Sequence, residues 1–139
     1  SEQGIKSLSE NNVIATLLPG TTFFLGQSNY APYTKLKEFG VEIALATDFN
    51  PGSCSIQSMP FIISLACLYL KMDILDAFKA CTHTSAKSLM LEDTLGSIEE
   101  GKKADLIIWE VNEIEEVSLS VDFSPIRYVI KNGTKVFTA

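Results

Sequence analysis

Residues 41–53 read Val-Glu-Ile-Ala-Leu-Ala-Thr-Asp-Phe-Asn-Pro-Gly-Ser. In the first seven residues, larger side chains alternate with Glu42, Ala44 and Ala46, which predicts a β-strand from Val41 to Thr47. The two alanines make the second face small, which suits a strand covered on both sides, as in a parallel sheet. A polar loop rich in turn-forming residues follows the strand and begins at Asp48.

A second apolar run lies upstream of this strand. Val13–Leu18 is partly β-branched and predicts another buried strand, closed by a turn at Pro19-Gly20. Between the two strands, Tyr33–Phe39 predicts a short helix that ends at Gly40. A helix between two neighbouring strands is the usual connection of a parallel pair.

Two further helices are predicted downstream. Ser58–Lys71 indicates a buried helix with Pro60 in its first turn. Asp73 predicts the N-cap of the next helix, with Asp76 as its capping-box partner. The apolar face of that helix recurs at helical spacing through Ile74, Ala77, Phe78, Cys81, Ser85 and Leu89. The order strand, helix, strand, helix, helix predicts an α/β fold with parallel strands.

The pattern changes from Glu92 onward. Ala104–Val111 predicts a strand, and Asn132-Gly133 between apolar runs predicts a tight β-hairpin. We therefore place a boundary near residue 92, which divides the chain into an α/β region at 1–91 and a small β region at 92–139.

Composition excludes several classes of function. The chain has 139 residues and a net charge of −6, without a cluster of Lys and Arg, so we expect no binding to nucleic acid. The longest apolar run, Ile62–Leu70, is far shorter than the roughly 20 residues of a membrane span, so we expect no membrane partner. The three cysteines, at wide spacing, indicate reduced thiols in the cytoplasm.

The candidate site is the loop after the second strand. A carboxylate such as Asp48, placed directly after a buried parallel strand, lies where α/β barrels build their active sites. The loop also offers the Asn50 amide, the Gly52 backbone and the Ser53 hydroxyl as ligand contacts. Taken alone, the same residues also suit an ordinary structural turn, and this alternative stays open here.

Four segments together resemble the imidazolonepropionase family of amidohydrolases: Leu17–Phe23, Ala46–Ser53, Ser58–Phe61 and Gly96–Leu106. Asp-x-Asn-Pro-Gly-Ser after Leu-Pro-Gly is typical of this family, whereas the last segment is common to many amidohydrolases. The resemblance implies that the chain is the C-terminal part of a TIM-like (β/α)8 barrel, followed by strands of a small β-sandwich. It also implies hydrolysis of the ring C–N bond of 4-imidazolone-5-propanoate to N-formimino-L-glutamate in histidine degradation.

The same resemblance implies roles for residues of the loop. Asp48 matches the Asp that binds a Zn or Fe ion and can accept a proton from the attacking water. Asn50 and Gly52 match positions that contact a product-like carboxylate, and Ser53 matches a substrate contact. We expect a cytoplasmic enzyme that acts on a small molecule and forms a homodimer at full length.

The chain departs from the family pattern at the metal site. Its single histidine, His83, cannot supply the His-x-His pair or the further metal His, which the resemblance places upstream of Ser1. Thr84 also stands where the family usually has Asn. We therefore expect the 139-residue chain alone to be inactive. Two alternatives stay open: another cyclic amidohydrolase or a heterocycle deaminase, and a non-catalytic α/β binding module.

Overall fold

A computed structural model describes residues 1–119 and 124–138. The helices are α1 (Glu2–Glu10), α2 (Pro19–Phe24), α3 (Tyr33–Glu38), α4 (Met59–Leu65), α5 (Ile74–Cys81), α6 (His83–Ser88) and α7 (Glu116–Leu119). The strands are β1 (Ala15–Leu17), β2 (Ile43–Leu45), β3 (Leu106–Trp109), β4 (Ile126–Lys131) and β5 (Thr134–Thr138). The sequence carried no expectation for helices α1 and α7.

The expected parallel pairing of the first two strands is confirmed. β1 and β2 run parallel, with Ala15 opposite Ile43 and Leu17 opposite Leu45. Leu17, Ala44 and Leu45 are buried, and the core beneath them includes Leu36 of α3 and Ile62 of α4. Both strands are three residues long and therefore shorter than the predicted runs Val13–Leu18 and Val41–Thr47.

The predicted turn at Pro19-Gly20 is wrong, because these residues begin helix α2. Proline is well suited to the first helical position, where its missing N–H would have had no partner in the helix. Gly20 is buried, and a methyl group on its Cα would lie 2.7 Å from Ile62 Cδ1. The absence of a side chain at Gly20 thus lets the start of α2 pack closely against α4.

Helix α4 begins as predicted. Ser58 caps its N-terminus by accepting a hydrogen bond from the Phe61 N–H, at 3.3 Å, and Pro60 lies in the first turn. The predicted helix 58–71 continues from α4 as a π-helical segment, Ala66–Leu70, which ends at Lys71 with a φ of 60°. Wider π turns of this kind have no reliable sequence signal, so this local geometry was not expected.

The predicted helical face from Ile74 to Leu89 belongs to two helices. The helix is interrupted at Thr82, whose φ of −119° and ψ of −89° are not helical, and a new helix, α6, begins at His83. Leu89 is 66% exposed and so does not continue the buried face. Asp73 is confirmed as the N-cap of α5, because its carboxylate accepts a hydrogen bond from Leu75 N–H at 2.9 Å.

Asp76 is not the expected capping-box partner. Its carboxylate accepts hydrogen bonds from the Tyr33 hydroxyl, at 2.7 Å, and from Lys37 Nζ, at 2.5 Å. Both donors lie on α3, so Asp76 links α5 to α3. The hydrogen bond from Lys37, followed by that from Tyr33, holds the pKa of Asp76 below its usual value.

We expect Asp76→Asn to destabilise the protein at neutral pH and to do so less as the pH falls. A lowered native pKa stabilises the fold above the unfolded pKa of about 3.9, and this contribution is lost as pH falls through the native value. Because the Asp76–Lys37 ion pair is partly exposed, the melting temperature of the variant at pH 7 should fall by only about 1–3 °C. Thermal melts between pH 7 and pH 3 should show this difference narrowing.

Tyr33→Phe is the matched control for this experiment, since it removes one hydrogen bond to Asp76 and leaves the Lys37 pair in place. Its effect should be smaller than that of Asp76→Asn at pH 7. A difference between Asp76→Asn and the wild type that is constant from pH 7 to pH 3 would contradict the linkage.

The three cysteines are free thiols, as expected. Cys54 is fully buried, and Cys67 and Cys81 are partly buried. Burial, with a smaller contribution from Cys67, raises the pKa of Cys81 to about 12. Burial, with a smaller contribution from Asp73, also raises the pKa of Cys67. A raised thiol pKa disfavours the reactive thiolate, so these two cysteines serve packing.

The C-terminal strands form an antiparallel sheet in the order β3-β4-β5. The predicted hairpin is confirmed: Asn132 and Gly133 have φ values of 48° and 76°, as a two-residue turn with two left-handed positions requires. Asp105 holds this turn against β3, because its carboxylate accepts hydrogen bonds from the Asn132 N–H, at 2.8 Å, and from Lys131 Nζ. The predicted strand Ala104–Val111 is observed as the shorter β3.

The segment between α6 and β3 folds back onto α6 at Gly96. This glycine has a φ of 89°, and a methyl group on it would lie 2.6 Å from Ala86 Cβ and 3.0 Å from Thr82 O. Both the backbone angle and the close approach thus require glycine here.

Within residues 1–119 and 124–138, no helix is long and apolar enough to span a membrane.

Candidate functional site

Asp48 lies at the carboxyl edge of the parallel pair. Strand β2 ends at Leu45, and the Ala46 N–H still donates to Leu17 O of β1 at 3.3 Å. Asp48 is therefore three residues beyond the strand, in contrast to the expected position directly after it. Its φ of 51° is left-handed, a conformation in which Asp and Asn are enriched among non-glycine residues.

Thr21 of α2 contacts the carboxylate of Asp48. The Thr21 hydroxyl donates a hydrogen bond of 2.7 Å to Asp48 Oδ2. The contact is possible because β1 and β2 are parallel neighbours, so the segments that follow them begin at the same edge. Thr21 lies in one of the segments that carry the family resemblance, but its sequence context predicted no role for it. No sequence signal joins two residues 27 positions apart.

Asn50 organises the loop from within. Its Oδ1 accepts hydrogen bonds from the Gly52 N–H, at 2.9 Å, and from the Ser53 N–H, at 2.8 Å. Its Nδ2 donates to Asp48 O at 2.7 Å and to Ser53 Oγ at 3.1 Å. The amide side chain thus forms an Asx turn that holds the backbone from Asp48 to Ser53 in one conformation.

The four residues expected in the site therefore share one loop. Asp48, Asn50 and Ser53 are partly buried, and Gly52 is exposed. The structure brings these residues together through the side chain of Asn50, and it adds Thr21 from the neighbouring segment.

Cys54 anchors the far end of this loop. Its thiol donates to Thr47 O at 3.2 Å, and its own carbonyl accepts from the Asn50 N–H at 2.8 Å. Because Cys54 is fully buried, these bonds fasten the loop to the core beneath it. The sequence alone indicated only a reduced thiol at Cys54.

The described residues offer a metal ion too few ligands. No three His, Cys, Asp or Glu side chains among residues 1–119 and 124–138 could together hold a metal. A catalytic zinc ion takes about three protein ligands and a water molecule. Asp48 could supply one of them, whereas His83 is at the start of α6, where its Cα faces Gly96. These residues alone therefore do not fit a catalytic metal.

Known proteins resemble this chain in sequence along almost its whole length. Residues 3–136 match the Amidohydrolase family. The imidazolonepropionases of Bacillus cytotoxicus and Bacillus mycoides are both 41% identical to the chain over 138 residues. The match covers 99% of this chain and 33% of each relative, so the chain spans about a third of the length of these curated relatives.

Solved structures resemble the chain in fold. An amidohydrolase from Thermotoga maritima is 30% identical, with a TM-score of 0.75, and the match covers 99% of this chain and 35% of that one. Escherichia coli guanine deaminase is 22% identical, with a TM-score of 0.81, and the match covers 99% and 36%. At 22% identity this second likeness concerns the fold alone. The match of residues 3–136 establishes that the chain belongs to the amidohydrolase family.

Proposed function

We propose that this chain is the C-terminal third of an imidazolonepropionase. That enzyme would hydrolyse the ring C–N bond of 4-imidazolone-5-propanoate to N-formimino-L-glutamate in histidine degradation. The observation that carries the proposal is the 41% identity to imidazolonepropionases over 138 residues, which includes the Asp48–Ser53 loop. That loop lies at the carboxyl edge of parallel strands, where α/β barrel enzymes place their catalytic groups.

We also propose a division of the chain between two structural units. Residues 1–91 would be the last part of a (β/α)8 barrel, and residues 92–139 would contribute strands to a small β-sandwich. The parallel pair β1-β2 with its connecting helices supports the first assignment. The antiparallel order β3-β4-β5 supports the second.

In this proposal Asp48 is the catalytic base and a ligand of the metal ion. In the hydrolysis, water adds to the ring carbonyl carbon, the C–N bond breaks, and the ring nitrogen takes up a proton. The Asp48 carboxylate is the basic group of the loop and would accept the proton that the water gives up. In this superfamily the metal, Zn or Fe, supplies Lewis acidity when bound, and its remaining ligands would come from outside the described residues.

Asn50 and Gly52 would contact the carboxylate of the substrate, and Ser53 would make a further contact with the substrate. The Asx turn of Asn50 supports this role because it holds Gly52 and Ser53 in a fixed arrangement. In such an arrangement little conformational freedom is left to be lost on binding.

An activity assay of the longer protein tests the proposed function. We expect the full-length protein to hydrolyse 4-imidazolone-5-propanoate and to contain about one metal ion per chain by elemental analysis. We expect the 139-residue chain alone to show no turnover above background, because Asp48 is its single ligand from the family set. Turnover by the 139-residue chain alone would contradict these roles, and a full-length protein that deaminates guanine instead would favour the deaminase alternative.

We further propose that the full-length protein is a homodimer in the cytoplasm. The family resemblance is the support for the dimer, and the three free cysteines of this chain are compatible with a reducing compartment. Sedimentation equilibrium of the full-length protein tests the dimer.

A further inference from the structure

We propose that Thr21 is a positioning residue that orients the catalytic carboxylate of Asp48, an inference that rests on the proposed function. Its hydroxyl donates a hydrogen bond of 2.7 Å to Asp48 Oδ2. Among the residues that the structure describes, Thr21 is the one donor to this carboxylate, since Oδ1 accepts no hydrogen bond from any of them. One oxygen is thus held while the other stays available to accept a proton.

The two partners of this hydrogen bond are fixed by the same group of buried contacts. Gly20 packs so closely that a methyl group on it would lie 2.7 Å from Ile62 Cδ1 and 3.4 Å from Cys54 Sγ. The Cys54 thiol in turn donates to Thr47 O at 3.2 Å. Gly20, which precedes Thr21, therefore lies close to the Cys54 side chain, and Cys54 in turn holds Thr47, the residue before Asp48.

This arrangement leaves little freedom for the distance between Thr21 and Asp48. The backbone of Asp48 is also held by the hydrogen bond of 2.7 Å from Asn50 Nδ2 to its carbonyl. The rotation of the carboxylate about its own side-chain bonds is then the remaining freedom, and the Thr21 hydroxyl removes it. A general base acts efficiently only when its lone pair points at the proton it takes, so the alignment of Oδ1 affects the reaction rate.

The experiment compares three variants of the full-length protein. Thr21→Val keeps the shape of the side chain and removes the donor, Thr21→Ser keeps the donor, and Thr22→Val makes the same change on the adjacent residue of α2. We expect Thr21→Val to lower kcat about tenfold, as the loss of a hydrogen bond to a charged group does, and to leave KM within about twofold. Thr21→Ser should keep kcat within about threefold of the wild type, and Thr22→Val should leave it unchanged.

A purely structural role for Thr21 gives a different outcome. If Thr21→Val and Thr22→Val lowered kcat equally, or if Thr21→Ser lowered kcat as much as Thr21→Val, the effect would come from the packing of α2 and not from orientation of the carboxylate. Either result would overturn the proposal. An unchanged kcat in Thr21→Val would overturn it as well.

A crystal structure of Thr21→Val separates this inference from the proposed function. We expect the Asp48 carboxylate to rotate or to occupy two positions while the loop backbone stays in place. A carboxylate unchanged in position would overturn the positioning role whatever the substrate proves to be. A wild-type protein inactive on 4-imidazolone-5-propanoate would overturn the proposed function, and the crystal structure would still decide the role of Thr21.

Discussion

Asp48→Asn should reduce turnover of the full-length protein by a factor of about 1,000 or more while the protein stays folded. The substitution keeps the size and shape of the side chain. It removes the basic oxygen that would accept a proton from water and the negative charge that would help to hold a cation. Steady-state kinetics, metal content and a thermal melt of the variant test this expectation.

The structure explains why the fold should tolerate this change. The Thr21 hydroxyl donates to Asp48, and the amide oxygen of an asparagine can accept the same hydrogen bond. Asp48 has a left-handed backbone with a φ of 51°, and asparagine adopts this conformation as readily as aspartate. A loss of activity in Asp48→Asn would therefore result from the loss of the carboxylate and not from a change in the fold.

Ser53→Ala provides the comparison for Asp48→Asn. It removes one hydroxyl that accepts from Asn50 Nδ2 and would contact the substrate. The loss of one such hydrogen bond costs about 1 kcal/mol, which corresponds to about a fivefold change in kcat/KM. If Ser53→Ala abolished the reaction while Asp48→Asn left turnover and bound metal intact, Asp48 would be a turn residue and the loop would act by binding alone.

Gly96→Ala should lower the free energy of unfolding by about 3 kcal/mol or more. Any other residue at a φ of 89° is strained, and the added methyl group would lie 2.6 Å from Ala86 Cβ and 3.0 Å from His83 Cα. Two of the three nearest atoms belong to the backbone of Thr82 and His83, so relief requires movement of the chain and not of a side chain. Chemical denaturation of the full-length protein measures the change.

Gly101→Ala is the matched control for this substitution. Gly101 has nearly the same φ, 91°, but a methyl group on it would meet no atom within 4 Å. Its cost should be that of the backbone strain alone, about 1–2 kcal/mol. Equal losses in the two variants would mean that the contact of Gly96 with α6 relaxes without cost.

Features encoded by neighbouring residues were predicted well. The Asn132-Gly133 turn and the Asp73 cap are confirmed because each depends on a local backbone angle or a hydrogen bond to a nearby N–H. The helix that ends before Gly40 is confirmed for the same reason, since Gly40 has a φ of 73°. Local conformational preference and tertiary structure agree at these positions.

Features decided by distant contacts were predicted wrongly or missed. Asp76 fits a capping box by its spacing, but its carboxylate instead accepts hydrogen bonds from Tyr33 and Lys37 of α3. The apolar spacing from Ile74 to Leu89 fits one helix, but the helix is interrupted at Thr82. This interruption lies near the point where Gly96 approaches α6. Periodicity within a segment carries no information about a second segment that packs against it.

The candidate site divides in the same way. Asp48, Asn50, Gly52 and Ser53 are adjacent in the chain, so their shared loop was predicted from the sequence, and their roles stay predictions. The contact between Thr21 and Asp48 depends on α2, which begins where a turn was expected. The wrong prediction at Pro19-Gly20 therefore concealed the residue that contacts the carboxylate.

The two sheets differ in how much chain must be closed before their strands can pair. In the hairpin, Lys131 faces Thr134, three positions away, whereas Ala15 of β1 faces Ile43 of β2, twenty-eight positions away. Loop-closure entropy grows as the logarithm of that separation, which favours the hairpin by about 2 kcal/mol. The hairpin can thus form around its own turn, whereas the parallel pair must close a much longer segment, which α2 and α3 shorten. We therefore expect the edge that carries Asp48 to form later in folding than the hairpin.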